Sequence, residues 1–439
     1  MRYIPNTDED RGEMLAAVGR SSISELFDDI PRNVKALFQP LGQAGKSEME
    51  VRTDLEALSR KNEAGGAVSY LGAGIYDHYI PSVVSHITSR SEFYTAYTPY
   101  QPEISQGTLT AMFEFQTLVC ELTGMEIANS SMYDGGTALA EAAMMAARVT
   151  GKKRLAVSGA LFSHYRRVLD TYCWASEIEV VEIPVRGGRC DFTQVPADVG
   201  GVIVQSPNAF GVIEDLSGVK GGIGDALLIV AVNPVSLGIL TPPGELGADI
   251  VTAEGQPFGL AATFGGPLLG MFAARKAYLR QMPGRLVGQT VDADGSVGYT
   301  MAAQTREQHI RRQKATSNIC TNAQLCALTA TVYMASLGGD GLRSLAELNL
   351  EKAHYLAERL SDLPGCDLAF DQPFFNEFVL RVPIDPRVIR DGLREQGILV
   401  DDPARLERLG VSKALRFAVT EKRSKEELDR LADALGRML

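Results

Sequence analysis

The sequence predicts an α/β protein: a large domain built on a mainly parallel sheet, followed by a smaller α+β domain. Three observations carry this reading. From about Arg154, short apolar and β-branched runs ("RLAVSG", "EIEVVEIPV", "GVIVQS", "ALLIVAV", "ADIVTA", "LLGMFAA") alternate with helical or loop stretches. Continuous apolar strands separated in this way fit a sheet covered by helices on both faces. Beyond about residue 330 the texture changes to a helical stretch, a strand "NEFVLRV", a helix "PRVIRDGLREQG", a strand "ALRFAVT" and a closing helix started by Ser424 and Glu427. With 439 residues, the chain has length for more than one domain.

The elements follow in order. Residues 1–65 read as short helices joined by turns, an arm with little core of its own that we expect to lie against another surface. Within it "SISE" (Ser22–Glu25) and "SEME" (Ser47–Glu50) both match the capping box, in which a serine hydroxyl and a glutamate carboxylate satisfy free amides of a first helical turn. In "TLTAMFEFQTLVCELTG", Leu109, Met112, Phe113, Gln116, Val119 and Cys120 recur at helical spacing and Gly124 supplies a stop, so a buried helix is expected. A second follows "MYDGG" and runs through "TALAEAAMMAARVTG" to another terminal glycine. The expected domains are an arm at 1–65, a large α/β domain at 66–325 and a small α+β domain at 326–439.

Composition narrows the function classes. A hydrophobic content of 45% with 22% charged residues is that of a soluble globular protein. No apolar run approaches the ~20 residues that span a bilayer, and "MRYIPNTDEDRGEM" is too polar and acidic for a signal peptide, so no membrane partner and a cytoplasmic location are expected. The net charge of −11 argues against nucleic acid. Six cysteines without a CxxC pair and five histidines without HExxH signal no metal site.

Four stretches could carry chemistry. "MYDGGTALAEA" sets Asp134, Gly135, Gly136 and Thr137 at a helix N-terminus, where backbone amides and the helix dipole suit a phosphate or carboxylate; a tight turn capped by Asp134 or Thr137 explains it equally. "YTAYTPYQPEISQG" gathers Tyr94, Tyr97, Thr98 and Tyr100 on a proline-stiffened loop that lines a pocket or interface or is a buried connector. "QTREQHIRRQKATSNICTN" concentrates Arg306, His309, Arg311, Arg312 and Lys314, with Ser317 and Asn318 after them: an anion site, a face for an acidic partner, or a solvated helix face. "VQSPNAFGVIED", with Asn208, and "VNPVSLGIL" sit just past strands, where open α/β sheets bind ligands.

Together "YTPYQPEISQGTL", "ELTGMEIANSSMYDGGTALAEA", "QSPNAFGVIED", "EGQPFGLAATFGGPLLG", "MPGRLVG" and "TREQHIRRQKATSNICTNAQL" resemble glycine dehydrogenase (decarboxylating), the P-protein family of the glycine cleavage system. The likeness is to subunit 1, the alpha chain of the split prokaryotic form, and covers essentially the whole chain. It implies the fold of the pyridoxal-phosphate (PLP) enzymes of the aspartate aminotransferase type, fold type I. It also implies a reaction in which glycine joins PLP, loses carbon dioxide and passes its aminomethyl group to the lipoyl arm of H-protein. The implied partners are subunit 2, the beta chain, in an α2β2 heterotetramer, lipoylated H-protein and glycine, in a prokaryotic cytoplasm.

Enzymes of this fold carry a lysine just after a strand to hold PLP covalently. Set beside the family's catalytic chain, "DIVTAEGQPFG" brings Pro257 to about that position, flanked by Gln256, and proline forms no Schiff base. The resemblance therefore implies that PLP is bound covalently on subunit 2 and that no catalytic residue lies in this chain. The expectation is that "YTAYTPYQPE", "YDGGT" and "REQHIRRQKATSN" lend side chains to the shared site or its entrance. One departure stands out: "LFSHYR" replaces a family stretch like "VHPEYR", leaving Phe162 where a histidine is common. Two other readings stay open, a pure scaffold for the catalytic chain and an independent PLP enzyme using Lys276 or Lys314.

Overall fold

The computed structural model describes residues 5–39, 42–94, 98–263, 266–319 and 322–439. The chain divides into two compact units, Met1–Gly65 and Gly66–Leu439. In the first, α1 (Asp8–Ala17) and α2 (Glu48–Ser59) contain no buried residue. The box expected at Ser47 forms, with Glu50 N donating to the Ser47 hydroxyl (3.3 Å) and Ser47 N to the Glu50 carboxylate (2.8 Å). The one expected at Ser22 does not, because Glu25 turns to the amide of Ser21 (3.0 Å) and the segment closes as a 3-10 turn, Ile23–Phe27.

The second unit is organised by a seven-stranded sheet. Its helices and strands in chain order are α3 (Gln106–Thr123), β1 (Ile127–Ala128), α4 (Gly135–Thr150), β2 (Arg154–Ser158), α5 (Ser163–Ala175), β3 (Glu179–Ile183), β4 (Gly201–Ser206), β5 (Leu227–Val232), β6 (Ile250–Glu254) and β7 (Gly270–Ala274). Spatial order is β1-β7-β6-β5-β4-β2-β3, with β7 antiparallel to both neighbours and the other pairings parallel. Alternation along each strand sends side chains to opposite faces. Leu155, Val157, Ile203, Leu227, Ile229 and Ile250 join one core, and Ala156, Val202, Val204, Leu228, Val230 and Val251 the other. Both faces are covered, which is why these strands read as unbroken apolar runs. β3, at the edge, alone keeps exposed residues, Glu179 and Glu182.

Helix α3 differs in detail from its sequence pattern. Phe115 is fully buried, while Phe113 and Cys120 are only half-buried. The helix has two partners: Phe115 and Val119 face the sheet, and Leu109 and Met112 pack on a hairpin of β8 (Leu286–Val291) and β9 (Val297–Ala302). That hairpin has no counterpart among the strands expected from sequence.

The helical stretch expected after residue 330 is α6 (Gln324–Ser361), broken at Gly338, whose φ of 64° lies outside the helical region. Its first part covers the sheet through Ala327, Ala330 and Tyr333; its second joins another core through Ala353, Leu356 and Leu360. That core belongs to a three-stranded antiparallel sheet of β10 (Asp367–Leu368), β11 (Glu377–Arg381) and β12 (Ala414–Ala418), backed by α7 (Pro386–Glu395) and α8 (Lys425–Gly436). Among the described residues no helix is long and apolar enough to cross a membrane.

Candidate functional site at the ends of the parallel strands

The carboxyl ends of β4, β5 and β6 converge on a small space lined by Tyr76, Phe162, Tyr165, Gln205, Asn233 and Glu254. Ligands of open α/β sheets bind at this place. The N-terminus of α4 points at it. Asp134 caps that helix, its Oδ1 accepting from Thr137 N (2.8 Å), as the sequence pattern anticipates. The next amide is taken too: Gly135 N donates to Glu254 Oε2 (2.9 Å). Glu254 Oε1 accepts from Gln256 N (2.9 Å) and Leu269 N (3.0 Å). The anion cradle is thus filled by a carboxylate of the chain itself. Burial pushes the Glu254 carboxyl up to about 7, against the pull of these three amides. Glycine is required at 135, because a Cβ there would strike the Tyr165 hydroxyl and lie 3.0 Å from Glu254 Cβ.

Aromatic rings occupy the rest. Phe162 and Tyr165 meet edge to face with centroids 5.6 Å apart. Arg416, buried on β12, lies 5.5 Å above the Phe162 ring. Its guanidinium bonds the Ala209 carbonyl (2.8 Å) and pairs with Asp401. Glu377 of β11 accepts from Ala73 N (2.6 Å) and the Tyr76 hydroxyl (3.1 Å). Burial drives the Glu377 carboxyl and the Tyr76 and Tyr165 phenols upward, and it holds His164, beside Phe162, down at about 4. The space left measures about 10 Å³.

Of the residues expected at a site, Asp134, Gly135, Gly136, Thr137 and Gln256 gather here. The Gln256 amide is fully used, Nε2 donating to the Tyr76 and Leu260 carbonyls (3.0 and 2.7 Å) and Oε1 accepting from Tyr76 N (2.9 Å). Pro257 is buried in the turn after β6. Asn208 is equally committed: it donates to Gly188 O (2.8 Å) and Glu214 Oε1 (2.7 Å) and accepts from Phe210 N (2.9 Å) and Val212 N (3.2 Å). It locks the loop after β4. Lys276 and Lys314 do not line the strand-end space.

The tyrosine loop and the basic segment meet at a second cluster, around a residue that sequence reasoning missed. Arg285, buried, donates to Glu307 Oε2 (3.2 Å), Thr98 Oγ1 (3.0 Å) and the Tyr100 hydroxyl (3.1 Å), and sits 5.3 Å from the Tyr100 ring centre. His309 packs edge-on against Tyr100 (5.8 Å) with its Nδ1 3.6 Å from Glu307. A charged pair inside "MPGRLVG" and "TREQH" gives no periodic signal, so only the tertiary contact reveals it. Arg306 turns inward instead, bonding the carbonyls of Ala303 (3.1 Å), Met282 and Gly284 (3.0 Å). Tyr94, Arg312 and Asn318 face solvent, Ser317 Oγ accepts from Ile319 N (3.1 Å), and Arg311 lines a separate basic concavity. Tyr97 lies outside the described residues.

The strand order, the helix aimed at the strand ends and the added α+β lobe define the fold of the PLP-dependent enzymes of fold type I. Lactobacillus brevis glutamate decarboxylase superposes with a TM-score of 0.68 at 14% identity, covering 95% of this chain and 96% of that one, a likeness of fold alone. The chain belongs to the glycine cleavage system P-protein family, whose model matches residues 1–435. It is 50% identical over 442 residues to the probable glycine dehydrogenase (decarboxylating) subunit 1 of Anoxybacillus flavithermus, covering 99% of this chain and 98% of the relative. A crystal structure of glycine decarboxylase (P-protein) of the glycine cleavage system, in inhibitor-bound form, matches with a TM-score of 0.93 at 44% identity over 100% of both chains.

PLP does not fit the strand-end site of this chain. Glu254 holds the helix amide that would receive a phosphate oxygen. The Phe162 and Tyr165 rings fill the remaining volume, leaving room for about one water. No lysine lines it.

Proposed function

We propose that this chain acts as subunit 1 of glycine decarboxylase in the glycine cleavage system. In this reading PLP is bound covalently on subunit 2, the beta chain. The assembled α2β2 heterotetramer decarboxylates glycine and passes the aminomethyl group to the lipoyl group of H-protein. This chain supports its partner's site and supplies no catalytic residue. The observation that carries the reading is the strand-end pocket closed by Glu254, Phe162 and Tyr165 with Pro257 in the adjoining turn.

What the chain offers a partner lies outside that pocket. Tyr94 and Tyr100 are 65% and 52% exposed, and His309, Arg312 and Asn318 are also exposed. We assign these, with Thr98 behind Tyr100, to the shared site or its entrance. Arg306 and Asn208 act within the chain, holding its loops. The domains we assign are an arm at 1–65, the large domain at 66–325 and the small domain at 326–439.

Reconstitution tests this. Subunit 2 with PLP, lipoylated H-protein and glycine should release carbon dioxide only when this chain is added, and full turnover without it would sink the proposal. The internal satisfaction of Arg306, Asn208 and Gln256 favours a second reading, a scaffold with no side chain in the site. Alanine at His309 and Arg312 separates the two: loss of turnover in an intact αβ complex supports a site role, and unchanged turnover supports the scaffold.

A further inference from the structure

A second concavity, of about 750 Å³, lies by the C-terminal part of α4. Its wall carries Arg148, Arg280, Arg306, Arg311 and Lys314 and no described carboxylate, in a chain of net charge −11. Arg306 has its N–H groups on backbone carbonyls, so it contributes charge but few free donors. Arg148 gives one N–H to the Gln281 carbonyl (3.1 Å) and feels the buried Glu141 on its own helix. Among the described residues Arg280, Arg311 and Lys314 form no ion pair. Cations crowded in a concave wall repel one another, and an anion seated among them relieves that repulsion while accepting several charge-assisted hydrogen bonds.

We propose that this concavity binds a small oxyanion of at least two negative charges, a phosphorylated or polycarboxylate metabolite, held by Arg148, Arg280, Arg311 and Lys314. Its volume falls in the range of small-molecule sites, roughly 300–1,000 Å³. It is distinct from the strand-end site, because Arg148 lies along α4 from Gly135 by roughly 20 Å at the helical rise. The hydroxyls of Thr305 and Thr316 in the same wall add neutral donors.

The test is isothermal titration of the full chain with inorganic pyrophosphate and, separately, citrate, at constant ionic strength with chloride as control. A saturable one-site isotherm is expected with one or both probes, and which binds tighter separates phosphate from carboxylate chemistry. The double variant Arg311→Gln, Lys314→Gln should weaken binding by at least about tenfold, and Arg280→Gln, from a different segment, should weaken it as well. Unchanged thermal melts would show that both variants fold. Heats no different from chloride, or binding untouched by both variants, would overturn the proposal. So would loss of anion binding once the catalytic chain is added, which would make this face a protein interface.

Discussion

Glu254 and Arg285 show two ways in which a buried charge is held. Glu254 is tied by three backbone amides, and burial raises its carboxyl from 4.5 to about 7. A raised folded pKa means that the folded state keeps the proton longer than the unfolded chain. Stability from this group is therefore full below about 4.5 and is lost as pH rises to about 7, by roughly 2–4 kcal/mol in all. Denaturant titrations across that window should show the fall, and Glu254→Gln should flatten it. Arg285 instead ties two loops through Glu307, Thr98 and Tyr100. Arg285→Ala leaves Glu307 buried without its partner and should cost about 3–5 kcal/mol. A double-mutant cycle with Glu307→Gln should recover much of that loss. Neither pairing was legible in the sequence, because nothing local joins Glu254 to the Gly135 amide or Arg285 to Glu307.

At the scale of elements the local code was readable where it is truly local. Gly124 and Gly151 end α3 and α4 in the left-handed conformation, at φ of 67° and 69°. Ser424 and Glu427 form the capping box of α8. Ser424→Ala should lower stability by about 1 kcal/mol, measured by thermal melting, with Ser424→Asp restoring most of it. Where an element has two partners, periodicity misleads. Phe115 of α3 lies off the expected stripe, yet it faces the sheet while Leu109 and Met112 serve the hairpin. The Ser22 motif failed because a neighbouring hydroxyl and amide, those of Ser21, compete for the same Glu25 carboxylate.

For the whole molecule, the decisive feature is that the strand-end site is closed as well as lacking a lysine. Pro257→Lys should therefore yield no borohydride-reducible adduct with PLP, checked by mass spectrometry, because Glu254 and the rings of Phe162 and Tyr165 stay in place. A stoichiometric adduct would show that the missing lysine was the only barrier. The sequence alone determined the alternating strands and helices, the glycine-rich helix start, the family likeness and the proline in the turn, since each depends on near neighbours or on a run of residue types. Only the tertiary structure decided what fills the anion cradle, because Gly135 and Glu254 meet through sheet topology across a long stretch of chain. It also decided which cations are free, since Arg306 turns to carbonyls while Arg311 lines an open basic wall. Propensity is written along the chain, but the partner that satisfies a buried polar group is set by packing.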